Sequence, residues 1–121
     1  MDQGYRHFRF RLELPARPDY AALLRAMAEQ VTRNAGFGDA EVRALSDGLE
    51  AVSLFAMGDA PAPLVYDFVA DGTTLVVSLR GGALPAGPGP AAVSLNPAGF
   101  EQVQWPIEDG AGVCRMSRRL P

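Results

Sequence analysis

The chain contains no lysine: all eleven of its basic residues are arginine. They are scattered, apart from Arg115, Arg118 and Arg119, and acidic residues outnumber them to leave a net charge of −3. That balance argues against generic nucleic-acid binding, which draws its affinity from a concentrated positive surface. Cysteine is nearly absent. Cys114 alone excludes an internal disulfide and a cysteine-based metal cluster, and its place in a strand-like run reads as a small core residue. His7 is the only histidine. It has no Asp or Ser partner in view, so a catalytic triad has no support. No apolar run approaches the ~20 residues of a membrane helix, and Met1–Arg6 carries no apolar stretch of the secretion-signal kind. The expectation is a cytoplasmic protein with no membrane and no nucleic-acid partner.

What remains is an ordinary globular composition. The 121 residues are 48% apolar and 21% charged, which suits a single domain over residues 1–121 with one core. Tyr5 to Leu14 alternates, with Phe8, Phe10, Leu12 and Leu14 on one side and His7, Arg9, Arg11 and Glu13 on the other, the pattern of a half-buried strand. Pro15 to Asp19 breaks it, with a proline suited to a helix entrance. Tyr20, Leu23, Leu24, Met27 and Val31 then recur at helical spacing and predict a first helix with these residues in the core. It should stop at Asn34–Gly38. Asp39 is the expected N-cap of a second helix, which runs to about Met57 with Val42, Leu45, Leu49, Val52 and Ala56 as its core stripe. Asp47, Ala51, Leu54 and Phe55 form an adjoining stripe.

Beyond a loop at Gly58–Pro63, two β runs, Leu64–Val69 and Thr73–Leu79, flank a turn at Ala70–Asp71–Gly72. Gly81 to Gly99 is dominated by glycine, proline and alanine and sustains neither a helix nor an inner strand. Val93 and Leu95 are its candidates for pinning to the body. The chain closes on a hairpin pattern, Val103–Ile107 and Val113–Arg118, in which Pro106 predicts an edge or a bend. The order β, α, α, ββ, long loop, ββ predicts an α+β two-layer sandwich: a mostly antiparallel sheet with two main helices on one face.

Four stretches, taken in that order, resemble a known family: Phe10–Pro18, Gly36–Phe37 with Asp39–Val42, the helix segment Arg43–Ala56, and the tail Glu108–Val113 with Arg118–Leu120. The chain is similar to the anti-sigma-factor serine kinases, a small branch of the histidine-kinase-like (GHKL) ATPases with the Bergerat fold. The resemblance implies a nucleotide site on the second helix. The family's general-base Glu falls on Asp47, and its magnesium-binding Asn falls on Ala51. Its adenine-reading Asp, which follows an Arg after the third strand, falls on Gly81. The ATP lid belongs at 81–99, where the Gly/Pro-rich loop stands. A charge-assisted hydrogen bond is typically worth about 1.5–3 kcal/mol, so two lost anchors and a lost lid remove several powers of ten in affinity.

The resemblance therefore implies a catalytically inactive regulatory domain with no cofactor. It would act by protein binding, on a sigma factor or an anti-sigma antagonist, or by pairing as a homodimer. The alternative is a divergent ATP-binding serine kinase that uses magnesium and Asp47, with Glu50 as an extra carboxylate on a different part of the helix. Leu54, Phe55 and Trp105 are the candidate partner-binding residues, each with a plain reading as packing. Arg115, Arg118 and Arg119 read as a solvated strand end or as a dock for an acidic partner.

Overall fold

Alternation in the first strand places Phe8, Phe10, Leu12 and Leu14 on one side of β1 (His7–Leu14) and the charged residues on the other. In the computed structural model, residues 6–57, 63–81 and 99–121 are described. A single tight turn at Pro18–Tyr20 leads into α1 (Ala21–Asn34), and a short loop leads from there to α2 (Asp39–Met57). The strands β2 (Leu64–Asp71), β3 (Thr74–Gly81), β4 (Gln102–Gln104), β5 (Ile107–Glu108) and β6 (Ala111–Arg119) follow. Their order in the sheet is β1-β2-β3-β6-β4, every pair is antiparallel, and β5 also lies against β6. The fold is an α+β two-layer sandwich.

Register explains how the core forms. Phe10, Phe68, Val77, Met116 and Val103 stand side by side across the sheet. They face the helices, where Leu24, Val42, Leu45, Leu49 and Val52 are essentially fully buried. Each such side chain contributes about 1.5–3 kcal/mol on leaving water. One residue along, the row Arg11, Asp67, Ser78, Arg115 and Gln104 occupies the opposite face. Among the described residues, helices thus cover one side of the sheet only.

The core stripe expected of α2 is buried throughout. That of α1 is not. Leu23 is 48% exposed, and the buried positions are Ala21, Leu24, Ala28 and Thr32. Small side chains at Ala21 and Ala28 let α1 lie close against its neighbours, and Met27 and Val31 face a groove beside β1 instead. Asp39 is the first residue of α2 and not its cap. The Gly38 carbonyl accepts from the Val42 N–H at 2.9 Å, and Glu41 reaches back to the Gly38 N–H at 3.3 Å, a capping-box closure.

The β2–β3 turn falls later than expected. Ala70 still pairs with Leu75, and the chain reverses at Gly72–Thr73 because Asp71 Oδ1 accepts the Thr73 and Thr74 N–H groups at 3.0 and 2.9 Å. The expected strand Val103–Ile107 is two pieces in one register, Gln104 opposite Arg115 and Ile107 opposite Gly112. Trp105–Pro106 interrupts it, since Pro106 has no N–H to give the ladder; its carbonyl still accepts from Val113 at 2.9 Å. Asp109 and Gly110, at φ 53° and 78°, close this hairpin in the two-residue turn whose twist matches paired strands. Tyr5, residues 58–62 and most of the Gly/Pro-rich stretch, including Val93 and Leu95, lie outside the described residues.

Candidate functional site

Asp47, Ala51 and Leu54 follow one another along the outer face of α2, all exposed. Asp47 does not stand free. Its Oδ1 accepts Arg25 Nη1 from α1 at 2.6 Å. Glu50 Oε1 accepts from the same nitrogen at 3.1 Å, and Glu29 lies 3.7 Å from Arg25 Nε. Asp47 and Glu50, expected on different parts of the helix, are therefore drawn onto one guanidinium. The Asp47 hydrogen bond holds Arg25 protonated above its ordinary range. A carboxylate bound this way has its lone pairs directed at a cation of its own chain, which opposes a role as proton acceptor.

The two other positions of the nucleotide site that the resemblance implies lack the groups a magnesium–nucleotide complex needs. Ala51 offers no oxygen. Gly81 sits at φ 98°, and a Cβ there would overlap the Pro63 carbonyl. No aspartate fits that position without moving the backbone. The residues at these positions do not fit the complex. Among the described residues, no group of three His, Cys, Asp or Glu is placed to hold a metal ion.

The partner-binding candidates separate. Leu54 is 46% exposed on α2, and Phe55 beside it is half-buried. Trp105 lies in the other layer, at the break in the edge strand, half-buried and packed on the core. The three arginines near the end do not form an open cluster. Arg115 binds Glu108 at 2.6 Å, and Arg119 lies 3.9 Å from Glu101. Arg118 binds Glu41 and the Gly99 carbonyl, both at 2.9 Å, and its guanidinium lies 5.9 Å from the Phe37 ring centre. Cys114 is buried, and burial alone pushes its thiol up to about 12, so it is inert at neutral pH. His7 is exposed.

Composition and spacing did not reveal the ion-pair belt on the open face of the sheet. Arg11 holds Asp67 with two bonds, 3.0 and 3.1 Å. Glu108 takes Arg115 at 2.6 Å and Arg80 at 3.3 Å, while Arg115 Nε donates to Ser78 Oγ at 3.3 Å. The Arg11 hydrogen bond lowers Asp67 below the ordinary carboxylate range, and Arg115 does the same to Glu108. The available signal was Asp67 in the middle of an apolar strand run. Matching it to Arg11 needed the strand pairing.

Neither a protein-family model nor a curated protein matches the sequence. No helix among the described residues is long and apolar enough to cross a membrane.

Proposed function

We propose that the chain is a catalytically inactive, anti-sigma-factor-like regulatory domain that acts in the cytoplasm by binding another protein. One observation supports the reading: the positions to which the resemblance assigns the nucleotide offer no grip for triphosphate. Asp47 is tied to Arg25, Ala51 has no donor, and Gly81 has no room for a side chain. The outer face of α2, with Leu54 flanked by Asp47 and Glu50, is then the docking surface for a sigma factor or a small anti-sigma antagonist. A desolvated leucine within a charged rim is a suitable anchor for such a contact.

Isothermal titration with magnesium and ATP tests the first half, with no binding heat expected; micromolar affinity overturns it. A two-hybrid screen against sigma factors and antagonists tests the second, with Leu54→Asp expected to abolish any interaction found. The pairing of Asp47 and Glu50 on Arg25 favours one other reading, a divergent serine kinase working through that carboxylate pair. Phosphate transfer to an antagonist, lost in Asp47→Ala, is its signature.

A further inference from the structure

The sequence contains three Asp–Gly pairs, Asp47–Gly48, Asp71–Gly72 and Asp109–Gly110, and no Asn–Gly pair. An aspartate before glycine is chemically labile. Glycine has no side chain to shield its backbone nitrogen, and that nitrogen attacks the neighbouring Cγ wherever the chain is free to bring the two together. By local sequence the three pairs are alike. The fold makes them unequal.

At Asp47–Gly48 the backbone is fixed inside α2, and Gly48 is buried. Asp47 Oδ1 is also held by Arg25 Nη1 at 2.6 Å. Asp71–Gly72 turns between two eight-residue strands. Asp71 Oδ1 accepts the Thr73 hydroxyl at 3.0 Å besides the two N–H groups of the turn. These bonds, led by that from the Thr73 N–H, hold its pKa below the ordinary carboxylate range and keep it ionised, the form least open to attack. The Gly72 carbonyl accepts Arg6 Nη2 at 3.0 Å, and the His7 ring fills the space where a Gly72 Cβ would stand.

Asp109–Gly110 has none of these restraints. Both residues are exposed, at φ 53° and 78°, and nothing lies within 4 Å of the place where a Gly110 Cβ would stand. Among the described residues, nothing bonds the Asp109 carboxylate or the Gly110 N–H. One flank of this turn is β5, two residues that follow the Trp105–Pro106 break and pair with β6 alone. So short a ladder opens locally at little cost in free energy. Opening frees Asp109 to swing its Cγ over the Gly110 nitrogen.

We propose that Asp109 is a site of spontaneous isoaspartate formation, reached by local opening of the β5–β6 hairpin. The Gly110 nitrogen bonds to Cγ of the protonated Asp109 carboxyl, whose hydroxyl leaves as water with the proton of that N–H. The product is a succinimide ring. Water then adds to one of the two ring carbonyls. Cleavage of the bond from nitrogen to Cγ returns aspartate. Cleavage of the bond from nitrogen to the main-chain carbonyl carbon leaves that carbon as a free carboxylate and routes the chain through Cγ. Mass and net charge are unchanged, and no oxidant or cofactor takes part. The backbone is then one methylene longer in a turn that closes with two residues. Glu108 loses its register opposite Ala111, and with it the carboxylate that bridges Arg80 and Arg115 is lost from the belt. The site lies on the β5–β6 hairpin, not on α2, and stands whether or not the anti-sigma reading holds.

The test is ageing of the full chain in warm neutral buffer, followed by peptide mapping and by enzymatic methylation of isoaspartyl carboxylates. The expected result is isoaspartate concentrated at residue 109, severalfold above residues 71 and 47. In urea, where the fold no longer distinguishes the three pairs, all three should react at similar rates. Gly110→Ala puts a methyl group beside the attacking nitrogen in open space and should cut the yield at 109 severalfold. Asp109→Ser should abolish it, and this variant serves where Gly110→Ala does not fold. The aged fraction modified at 109 should melt below the fresh chain. Equal yields at the three pairs in the folded chain overturn the proposal. So does a folded chain that stays unmodified at 109 while the chain in urea converts. A modified fraction that melts with the fresh chain overturns the loss of the Glu108 bridge.

Discussion

Tyr66 on β2 donates its hydroxyl to Ser53 on α2 at 2.9 Å, and Ser53 donates in turn to the Leu49 carbonyl at 2.7 Å. Both residues are fully buried, so this short chain joins the two layers at the centre of the core. Its two ends are not equivalent. Tyr66→Phe removes the donor and leaves Ser53 bonded to Leu49, which should cost about 0.5–1.5 kcal/mol. Ser53→Ala strands the Tyr66 hydroxyl away from water and should cost more, about 1–3 kcal/mol. Urea unfolding of the two variants checks the order.

Ser46, two turns earlier on α2, is equally buried but its hydroxyl has no hydrogen-bond partner among the described residues. Its desolvation is uncompensated. Ser46→Ala removes that penalty and improves helix propensity. The same substitution on the same helix should therefore have opposite sign: a higher melting temperature at Ser46, a lower one at Ser53.

Placing at Ala51 and Gly81 the residues that the resemblance implies there should not create nucleotide binding. Ala51→Asn places a polar side chain on an exposed helix position and should leave stability within about 0.5 kcal/mol. Gly81→Asp forces a Cβ against the Pro63 carbonyl at φ 98° and should cost about 1–3 kcal/mol. The double variant should give no heat with magnesium and ATP and should melt lower than the parent. Calorimetry reads both outcomes.

Stability should fall at both ends of the pH scale for separate reasons. Asp67 and Glu108 titrate below their ordinary 3.8 and 4.5 in the folded chain, held there by Arg11 and Arg115. A lowered folded value contributes stability above the unfolded pKa that is lost as pH falls through the folded one. The acid loss should begin near pH 4, and Arg11→Met should blunt it. Tyr66 and Cys114 are raised by burial, from 10.0 and 9.0, to about 12 each. A raised folded value contributes stability below the unfolded pKa that is lost as pH climbs. The alkaline loss should begin near pH 9, and Cys114→Ala should delay its onset to near pH 10. Unfolding curves across pH, with and without these substitutions, measure both limbs.

Local periodicity made β1, α1, α2 and the β2–β3 pair legible, because alternation and helical spacing are properties of consecutive residues. It was blind wherever the outcome depended on a neighbour distant in sequence. Leu23 carries the same spacing signal as Leu24, and only the position of α1 over the sheet decides that one is buried and the other wet. Asp47 reads as a solvated carboxylate or a base until α1 brings Arg25 within 2.6 Å. Asp67 reads as a misplaced charge until strand pairing sets it opposite Arg11.

The amino-acid order alone determined the class of fold and the element sequence, since alternation, helical spacing and turn residues are side-chain chemistry at known places along the chain. The packed structure decided which apolar residues stay exposed, which charges neutralise one another, and which Asp–Gly pair is left unrestrained. These are outcomes of register and layer geometry, which bring together residues that no local pattern relates.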